Sequence, residues 1–187
     1  MNKLKCLGDD GVHDFWELIN DTFDCIPLAG IIDDSIFTAH GDIPATDNKI
    51  EELLNIPKIL KNPEMESASA WKMLWNDPLS KKAANPLLKV LSRTKLNAQD
   101  AEERGFLLNE KRGIAFYFLE KSVDTFLSVN TLSHIIRGHE LIQKGYRIHF
   151  KGKCFTVFST SKYQGTKDTA ACILVKDERI WPISIET

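Results

Sequence analysis

Two histidines that each follow an apolar stretch are the residues in this sequence best placed to do chemistry. His139 lies in IIRGHEL, residues 135–141, and His40 lies in IFTAHG, residues 36–41. A histidine at a strand end, beside a flexible glycine and an arginine, can hold a metal ion or an anion. Because histidine and glycine adjoin at both predicted strand ends, we predict that they contribute to one shared site.

The helices that support this site are indicated by apolar residues at helical spacing. Residues 13–23 carry Trp16 and Phe23 in such a pattern, and Pro27 should end the helix soon afterwards. Residues 119–129 form a second pattern, which includes Phe126. We expect Trp16, Phe23 and Phe126 to be core residues.

Short apolar runs predict the strands. Residues 30–32 and 35–37 are separated by Asp33-Asp34, which is typical of a tight turn, and His40 should close the second strand. The remaining predicted strands are residues 114–118 and 132–136 and two hairpins, 146–150 with 154–158 and 171–175 with 179–185. We expect both hairpins to lie in one antiparallel sheet.

The middle of the chain has weaker patterns. Residues 41–66 contain three prolines and read as an elaborate surface loop around a short helical pattern at 51–54. Residues 67–75 predict a short helix. Charged residues dominate 81–109, where one modest apolar set makes this the weakest part of the core. That set is Leu87, Leu88, Val90 and Leu91.

Composition narrows the class of protein. The 187 residues are 43% hydrophobic with a formal net charge of −2, which is typical of a globular domain. No run of lysine or arginine and no long apolar segment occurs, so we expect no nucleic-acid or membrane partner and a cytoplasmic protein, with the nucleus as the alternative. The four cysteines lack Cys-x-x-Cys spacing and are read as reduced packing residues: Cys6, Cys25, Cys154 and Cys172.

A series of motifs, taken in order, resembles the phosphoprotein phosphatases, the serine/threonine phosphatases that include calcineurin and the type 1 and type 2A enzymes. The resemblance runs over about residues 12–180 and is weaker between 43 and 110. Its anchors are FDCIPLA at 23–29, FTAHG at 37–41, LWNDP at 74–78, RG at 112–113, RGHE at 137–140 with GY at 145–146, and FSTSKYQG at 158–165.

The resemblance implies an α/β (α+β) fold, a metallophosphoesterase β-sandwich flanked by helices. It also implies a dinuclear site of the manganese, iron or zinc type that activates water for attack on phosphorus. By resemblance His40 and His139 are metal ligands, Arg112 clamps the phosphate, and Tyr163 lines the cleft near the catalytic centre. The segment 75–78 matches the family's groove-side Trp-x-Asp-Pro.

Other family motifs do not occur in the 187 residues: Gly-Asp-x-His-Gly, Gly-Asp-x-x-Asp-Arg-Gly and Gly-Asn-His-Glu. In the family, these motifs carry the remaining metal ligands, a phosphate-binding arginine and the general-acid histidine, so these residues do not occur here either. The family's His-Gly-Gly is here His40-Gly41-Asp42, and its Ser-Ala-Pro-Asn-Tyr ends here in Lys162-Tyr163.

We therefore expect residues 1–187 to form a single partial catalytic domain, the C-terminal portion, and a poor enzyme on its own. Its partners would be phosphoprotein substrates and a regulatory subunit. Two alternatives remain open: a non-catalytic pseudophosphatase that binds phosphatase regulators or substrates, and a fragment that completes a site together with another chain.

Overall fold

The computed structural model of the chain describes residues 8–94, 101 and 103–186, excluding the side chains of residues 9, 10 and 91–94. Its helices are α1 (Gly8–Asp24), α2 (Ile50–Leu53), α3 (Pro63–Glu66), α4 (Ala68–Trp75), α5 (Lys81–Thr94) and α6 (Glu120–Val129). Its strands are β1 (Ala29–Ile32), β2 (Ile36–Ala39), β3 (Asp77–Pro78), β4 (Phe106–Leu108), β5 (Phe116–Phe118), β6 (His134–Arg137), β7 (Tyr146–His149), β8 (Cys154–Val157), β9 (Ala170–Lys176) and β10 (Arg179–Ile185).

A five-stranded mixed sheet carries the two histidines. Its order is β1-β2-β6-β8-β7, with β2, β6 and β8 mutually parallel and the two edge strands antiparallel to their neighbours. Asp33 and Asp34 both have φ of 49°, the left-handed geometry of a tight hairpin turn, as predicted. Strands β3, β5 and β4 form a separate small sheet.

The expectation of one antiparallel sheet for both C-terminal hairpins is wrong. The hairpin of β7 and β8 belongs to the five-stranded sheet, whereas β9 and β10 pair only with each other. The two units meet through single backbone contacts, such as the 3.0 Å bond from the Ala171 amide to the Phe158 carbonyl. A hairpin pattern fixes its own register but does not fix which sheet it joins.

The core lies between the five-stranded sheet and α6. Phe37 of β2 and Phe126 of α6 are 1% exposed and pack edge-on, with ring centroids 4.9 Å apart. Val123 and Leu127 of α6 are also buried, and the core role predicted for Phe126 is confirmed.

The core role expected for Trp16 and Phe23 is wrong. The helix itself is confirmed as α1, but these side chains are 65% and 63% exposed. Periodicity identifies an apolar face of a helix and does not identify what covers it. Two of the cysteines, Cys25 and Cys172, are likewise exposed rather than packed.

The remaining predictions are partly confirmed. The surface loop at 41–66 begins with the fully buried residues Asp42, Ile43 and Pro44, so its first part is core rather than surface. Residues 67–75 form α4, capped by the Ser67 hydroxyl. In the charged stretch 81–109, α5 forms, and Leu87 and Leu88 pack on a small cluster around Leu107.

Val90 is exposed, which contradicts its place in the predicted apolar set. Parts of that stretch, the Leu91 side chain and Cys6 lie outside the described residues. Within the described ranges, no helix has the length and apolar character needed to cross a bilayer.

Candidate metal and phosphate site

Parallel pairing of β2 and β6 brings the two predicted histidines together. Ala39 pairs with Arg137, so both strands end at the same edge of the sheet, and the Gly138 amide donates to the His40 carbonyl at 3.1 Å. His40 Nε2 lies 3.0 Å from His139 Nδ1. The predicted juxtaposition of the two His-Gly junctions is therefore present in the structure.

His139 is held in an unusual environment. Its backbone has φ of 64°, in the left-handed region that few non-glycine residues adopt, and its side chain is 8% exposed. Its Nε2 is buried and has no hydrogen-bond partner in the described part of the chain. The nearest carboxylate oxygen, Asp77 Oδ1, is 3.9 Å away. An unsatisfied buried nitrogen is costly, which makes this atom a sign of function.

Both imidazoles are neutral at physiological pH. Burial, with the charges of Arg112 and Arg137, lowers the pKa of His139 to about 4. Burial and the same two arginines also lower the pKa of His40. Each neutral ring keeps one nitrogen lone pair, which is the form of histidine that binds metal ions.

The pair fits a metal ion. At 3.0 Å, one ring donates a hydrogen bond to the other between His40 Nε2 and His139 Nδ1. Two nitrogens that each lie about 2.1 Å from one ion would be about 3 Å apart at the right angle of octahedral coordination and about 3.4 Å apart at the tetrahedral angle, so an ion could replace this hydrogen bond with little movement of either ring. Coordination through Nδ1 would leave His139 Nε2 to donate toward Asp77, the kind of carboxylate that orients metal-binding histidines. Within the described residues no group of three or more histidine, cysteine or acidic side chains forms, so the fit is to part of a site.

Asp77 is the centre of a charged network beside the histidines. Its carboxylate accepts from Arg112 Nε at 2.5 Å, from Arg137 Nη2 at 3.1 Å and from Asn109 Nδ2 at 3.0 Å. Burial alone would raise the pKa of Asp77, but the hydrogen bond from Arg112 and the charges of Arg137 and Arg112 outweigh it and lower the pKa. Asp77 is therefore an anion that orients two arginines.

Arg112 is positioned to meet an anion. Its side chain is 29% exposed, and its Cζ lies 5.9 Å from the Trp75 ring centroid. Its Nε and Nη2 donate to Asp77, while Nη1 has no acceptor within the described part of the chain. A guanidinium fixed on one side and open on the other suits a phosphate oxygen. Trp75 also packs edge-on against His139, with ring centroids 5.3 Å apart.

Arg137 has a different role from Arg112. It is 1% exposed and donates to the Gly41 carbonyl, the Asn76 carbonyl, Glu140 and Asp77. Its polar groups are engaged inside the protein, so it anchors the loops around the site instead of binding a ligand.

Tyr163 has contacts that indicate packing. Its ring lies edge-on to Phe158, with centroids 5.4 Å apart, and its amide donates to the Asp168 carboxylate at 3.1 Å. None of these contacts joins it to His40, His139 or Arg112. Its predicted position in the cleft near the catalytic centre stays a prediction.

Sequence reasoning missed the central place of Asp77 and the contribution of Asn109. The signal for Asp77 was present, since the Trp-x-Asp-Pro segment at 75–78 had been matched as a groove-side motif. Asn109 carried no signal, because its link to Asp77 spans 32 positions of sequence and arises only when β4 and β5 pair.

Comparison with known proteins agrees with this geometry. Residues 3–143 match the family described as calcineurin-like phosphoesterase. The chain is 30% identical over 165 residues to serine/threonine-protein phosphatase T of Schizosaccharomyces pombe, which covers 87% of this chain and 30% of that protein. A solved serine/threonine phosphatase of Saccharomyces cerevisiae, described as similar to human phosphatase PP5, superposes with a TM-score of 0.69 at 22% identity.

That superposition covers 93% of this chain and 51% of the solved chain, so this chain spans about half of that structure and less than a third of the Schizosaccharomyces pombe phosphatase. The fold is that of a metallophosphoesterase, and the homologues in sequence are serine/threonine protein phosphatases. The chain belongs to the calcineurin-like phosphoesterase family.

Proposed function

We propose that the chain serves the metal-dependent hydrolysis of phosphoserine and phosphothreonine in proteins, as one portion of a serine/threonine phosphatase catalytic domain. The observation that carries this proposal is the 3.0 Å approach of His40 Nε2 to His139 Nδ1, next to a buried His139 Nε2 without a partner among the described residues. Such a pair has a ready explanation as two ligands of one metal ion.

His40 and His139 act as neutral metal ligands in this proposal. Burial and two neighbouring arginines keep protons from competing for the coordinating nitrogens at physiological pH. A metal ion of the manganese, iron or zinc type, when bound, would activate a water molecule for attack on phosphorus. Asp77 would orient the His139 ring by accepting a hydrogen bond from His139 Nε2.

Arg112 binds and orients the phosphate. The open Nη1 side of its guanidinium would donate to the phosphate oxygens, and Asp77 fixes the opposite side. Arg137 holds Asp77 from the protein interior. The phosphate clamp is thus set by a chain of three charged residues, of which only Arg112 meets the substrate.

The described part of the chain supplies only part of such a site. No described carboxylate joins the two histidines as a ligand group. Bridging carboxylates offset much of the charge of a dinuclear centre, so two neutral imidazoles bind metal weakly. We therefore expect little phosphate release from these 187 residues alone and a regulatory subunit or a complementing segment in the working enzyme.

A non-catalytic role is the second candidate. The same incompleteness of the described ligand set favours a pseudophosphatase that binds phosphatase regulators or phosphoproteins without turnover. The two functions differ in one property: only the first requires a metal ion at His139.

The first experiment is manganese binding, measured by isothermal titration calorimetry on the purified chain after treatment with EDTA and dialysis. The His139→Ala variant should lose the manganese heat, and His13→Ala should keep it, because His13 is exposed on α1. Phosphate release from a phosphothreonine peptide is followed in parallel.

Manganese binding that depends on His139 supports the phosphatase, whatever the turnover of the isolated chain. Identical heats from the wild-type chain and His139→Ala would overturn the metal proposal. Peptide binding without metal binding would then favour the pseudophosphatase.

A further inference from the structure

A cleft beside the phosphate clamp carries more positive charge than the clamp needs. It has a volume of about 890 Å³, and its lining includes Asp77, Arg112 and residues of the edge strand β7. Lys111 and Arg147 also line it, and both are exposed. The cleft therefore reaches from the phosphate clamp at Arg112 to the protein surface.

The cationic side chains of Lys111 and Arg147 are not engaged in direct polar contacts with other described residues. Neither forms an ion pair or hydrogen bond through its side chain within the described part of the chain. The two carboxylates of the cleft are already engaged, Asp77 by Arg112 and Arg137, and Glu140 by Arg137. The charges of Lys111 and Arg147 thus remain available to a ligand.

The positive charge is local. The whole chain has a formal net charge of −2, yet this cleft and the arginine directly behind it place four cationic groups against two carboxylates. The groups are Lys111, Arg112, Arg137 and Arg147. Glu110 lines a separate hollow with Gly113 and does not line this cleft. A cleft with concentrated charge of one sign attracts ligands of the opposite sign.

The shape of the cleft suits a peptide. Four successive residues of the β7 region line it, Arg147 to Phe150, so the edge of the sheet itself forms one wall. Because side chains of a strand alternate between faces, three successive lining residues of β7, Arg147 to His149, indicate that the backbone edge faces the cleft, and Phe150 belongs to the turn that follows. An exposed strand edge can align an extended polypeptide.

Apolar side chains lie beside the cations. Ile148 and Leu141 both line the cleft and are about half exposed. A small inorganic anion would leave this apolar surface unused, whereas a polypeptide would cover it. Burial of His149 and the nearby charge of Arg147 lower the pKa of that histidine to about 4, so it stays neutral in this wall.

We propose that this cleft binds the acidic flank of a phosphoprotein substrate, with Lys111 and Arg147 as the residues that select negatively charged groups next to the phosphorylated residue. The proposal rests on the proposed function, because it assigns the substrate class of the same site. The shared chemistry is an anion on a polypeptide, either a carboxylate or a second phosphate.

The test is peptide binding to the 187-residue chain in EDTA, measured by fluorescence anisotropy at low salt. The labelled peptides share a central phosphothreonine and differ in the flanks: glutamates, lysines, glutamines, or glutamines with a second phosphothreonine. We expect the glutamate-flanked peptide to bind at least about tenfold more tightly than the lysine-flanked one, with the difference shrinking as salt is added. The doubly phosphorylated peptide shows which anion is preferred.

The variant pair Lys111→Gln with Arg147→Gln should reduce the glutamate-over-lysine preference to about twofold or less, since both selecting charges are gone. The matched control is Lys176→Gln with Arg179→Gln. These two exposed residues lie opposite each other in the β9–β10 hairpin, and their substitution changes the net charge by the same amount. Equal thermal midpoints for the two double variants would show that both remain folded.

Three results would overturn the proposal: no preference in the wild-type chain, a preference retained without Lys111 and Arg147, or an equal loss in the control. Failure of any peptide to bind counts as the first result. Because the measurement excludes metal and turnover, acidic-peptide binding can be observed even if manganese does not bind. The cleft proposal and the metal proposal can therefore be refuted independently.

Discussion

Arg137 Nη2 lies 3.1 Å from Asp77 Oδ1, and this ion pair joins the end of β6 to the start of β3, 60 positions earlier in the chain. The Arg137 side chain is fully buried, and Asp77 is nearly so. The pair therefore connects the strand that presents His139 to the strand that orients Arg112. The geometry of the candidate metal pair and that of the phosphate clamp depend on the same contact.

Asp77→Asn should destabilise the chain strongly. The substitution leaves Arg137 buried with one anionic partner fewer, and it replaces one of the two acceptor oxygens by an NH2 group that faces other donors. Breaking a buried ion pair from one side costs about 3 kcal/mol. Urea denaturation followed by circular dichroism measures the change. The matched control is Asp124→Asn, whose pair with Lys153 is about half exposed and should be worth about 1 kcal/mol or less. Equal losses in the two variants would contradict the prediction.

Gly41→Ala should lower the free energy of unfolding much more than Gly138→Ala, although each glycine adjoins a candidate histidine. A Cβ at Gly41 would lie 2.6 Å from the carbonyl carbon of Leu74, so backbone would have to move, and we expect a loss of about 2 kcal/mol or more. A Cβ at Gly138 would approach only to 3.6 Å, an ordinary contact, so the change should stay within about 1 kcal/mol. Thermal denaturation of the two variants checks this, and similar midpoints would contradict it.

The two candidate histidines show what local sequence patterns can establish. The pairing of His40 with His139 was predictable, because both histidines follow apolar strands and parallel strands end at one edge. Local patterns of this kind predicted the helices and hairpins well.

Contacts between residues far apart in the sequence could not be predicted in this way. The link from Asp77 to Asn109 depends on how β4, β5 and β3 pair, and no local pattern encodes it. The exposed Trp16 could not be distinguished from a core tryptophan, because an amphipathic helix has the same periodicity whether or not another element covers its apolar face.

Phe126→Ala and Trp16→Ala should therefore differ sharply in their effect on stability. Phe126 is 1% exposed and packs on Phe37, so its truncation leaves a cavity that costs about 4 kcal/mol. Trp16 is 65% exposed, so its removal should change the free energy of unfolding by about 1 kcal/mol or less. Urea denaturation of both variants provides the measurement. A loss at Trp16 as large as that at Phe126 would show that the α1 face is covered in solution.

Asp42 should make the stability of the chain depend on pH. It is fully buried, with its carboxylate accepting from the Ile43 amide at 2.7 Å and from Cys154 Sγ at 3.5 Å. Burial raises the pKa of Asp42 to about 7, against the opposing charge of Arg137. Since the folded protein holds the proton more tightly than the unfolded chain, the stabilisation is complete below about pH 4 and is lost as the pH rises through 7.

Asp42→Asn should remove this dependence, because an amide has the same shape and does not titrate. The free energy of unfolding of the variant minus that of the wild type should grow between pH 4 and pH 8, with an upper limit on the order of 4 kcal/mol from a shift of about three pKa units. Urea denaturation in EDTA across this range measures the difference, and taking it at each pH cancels the titration of other groups. A difference that is constant with pH would mean that Asp42 is ionised throughout, with Arg137 outweighing its burial.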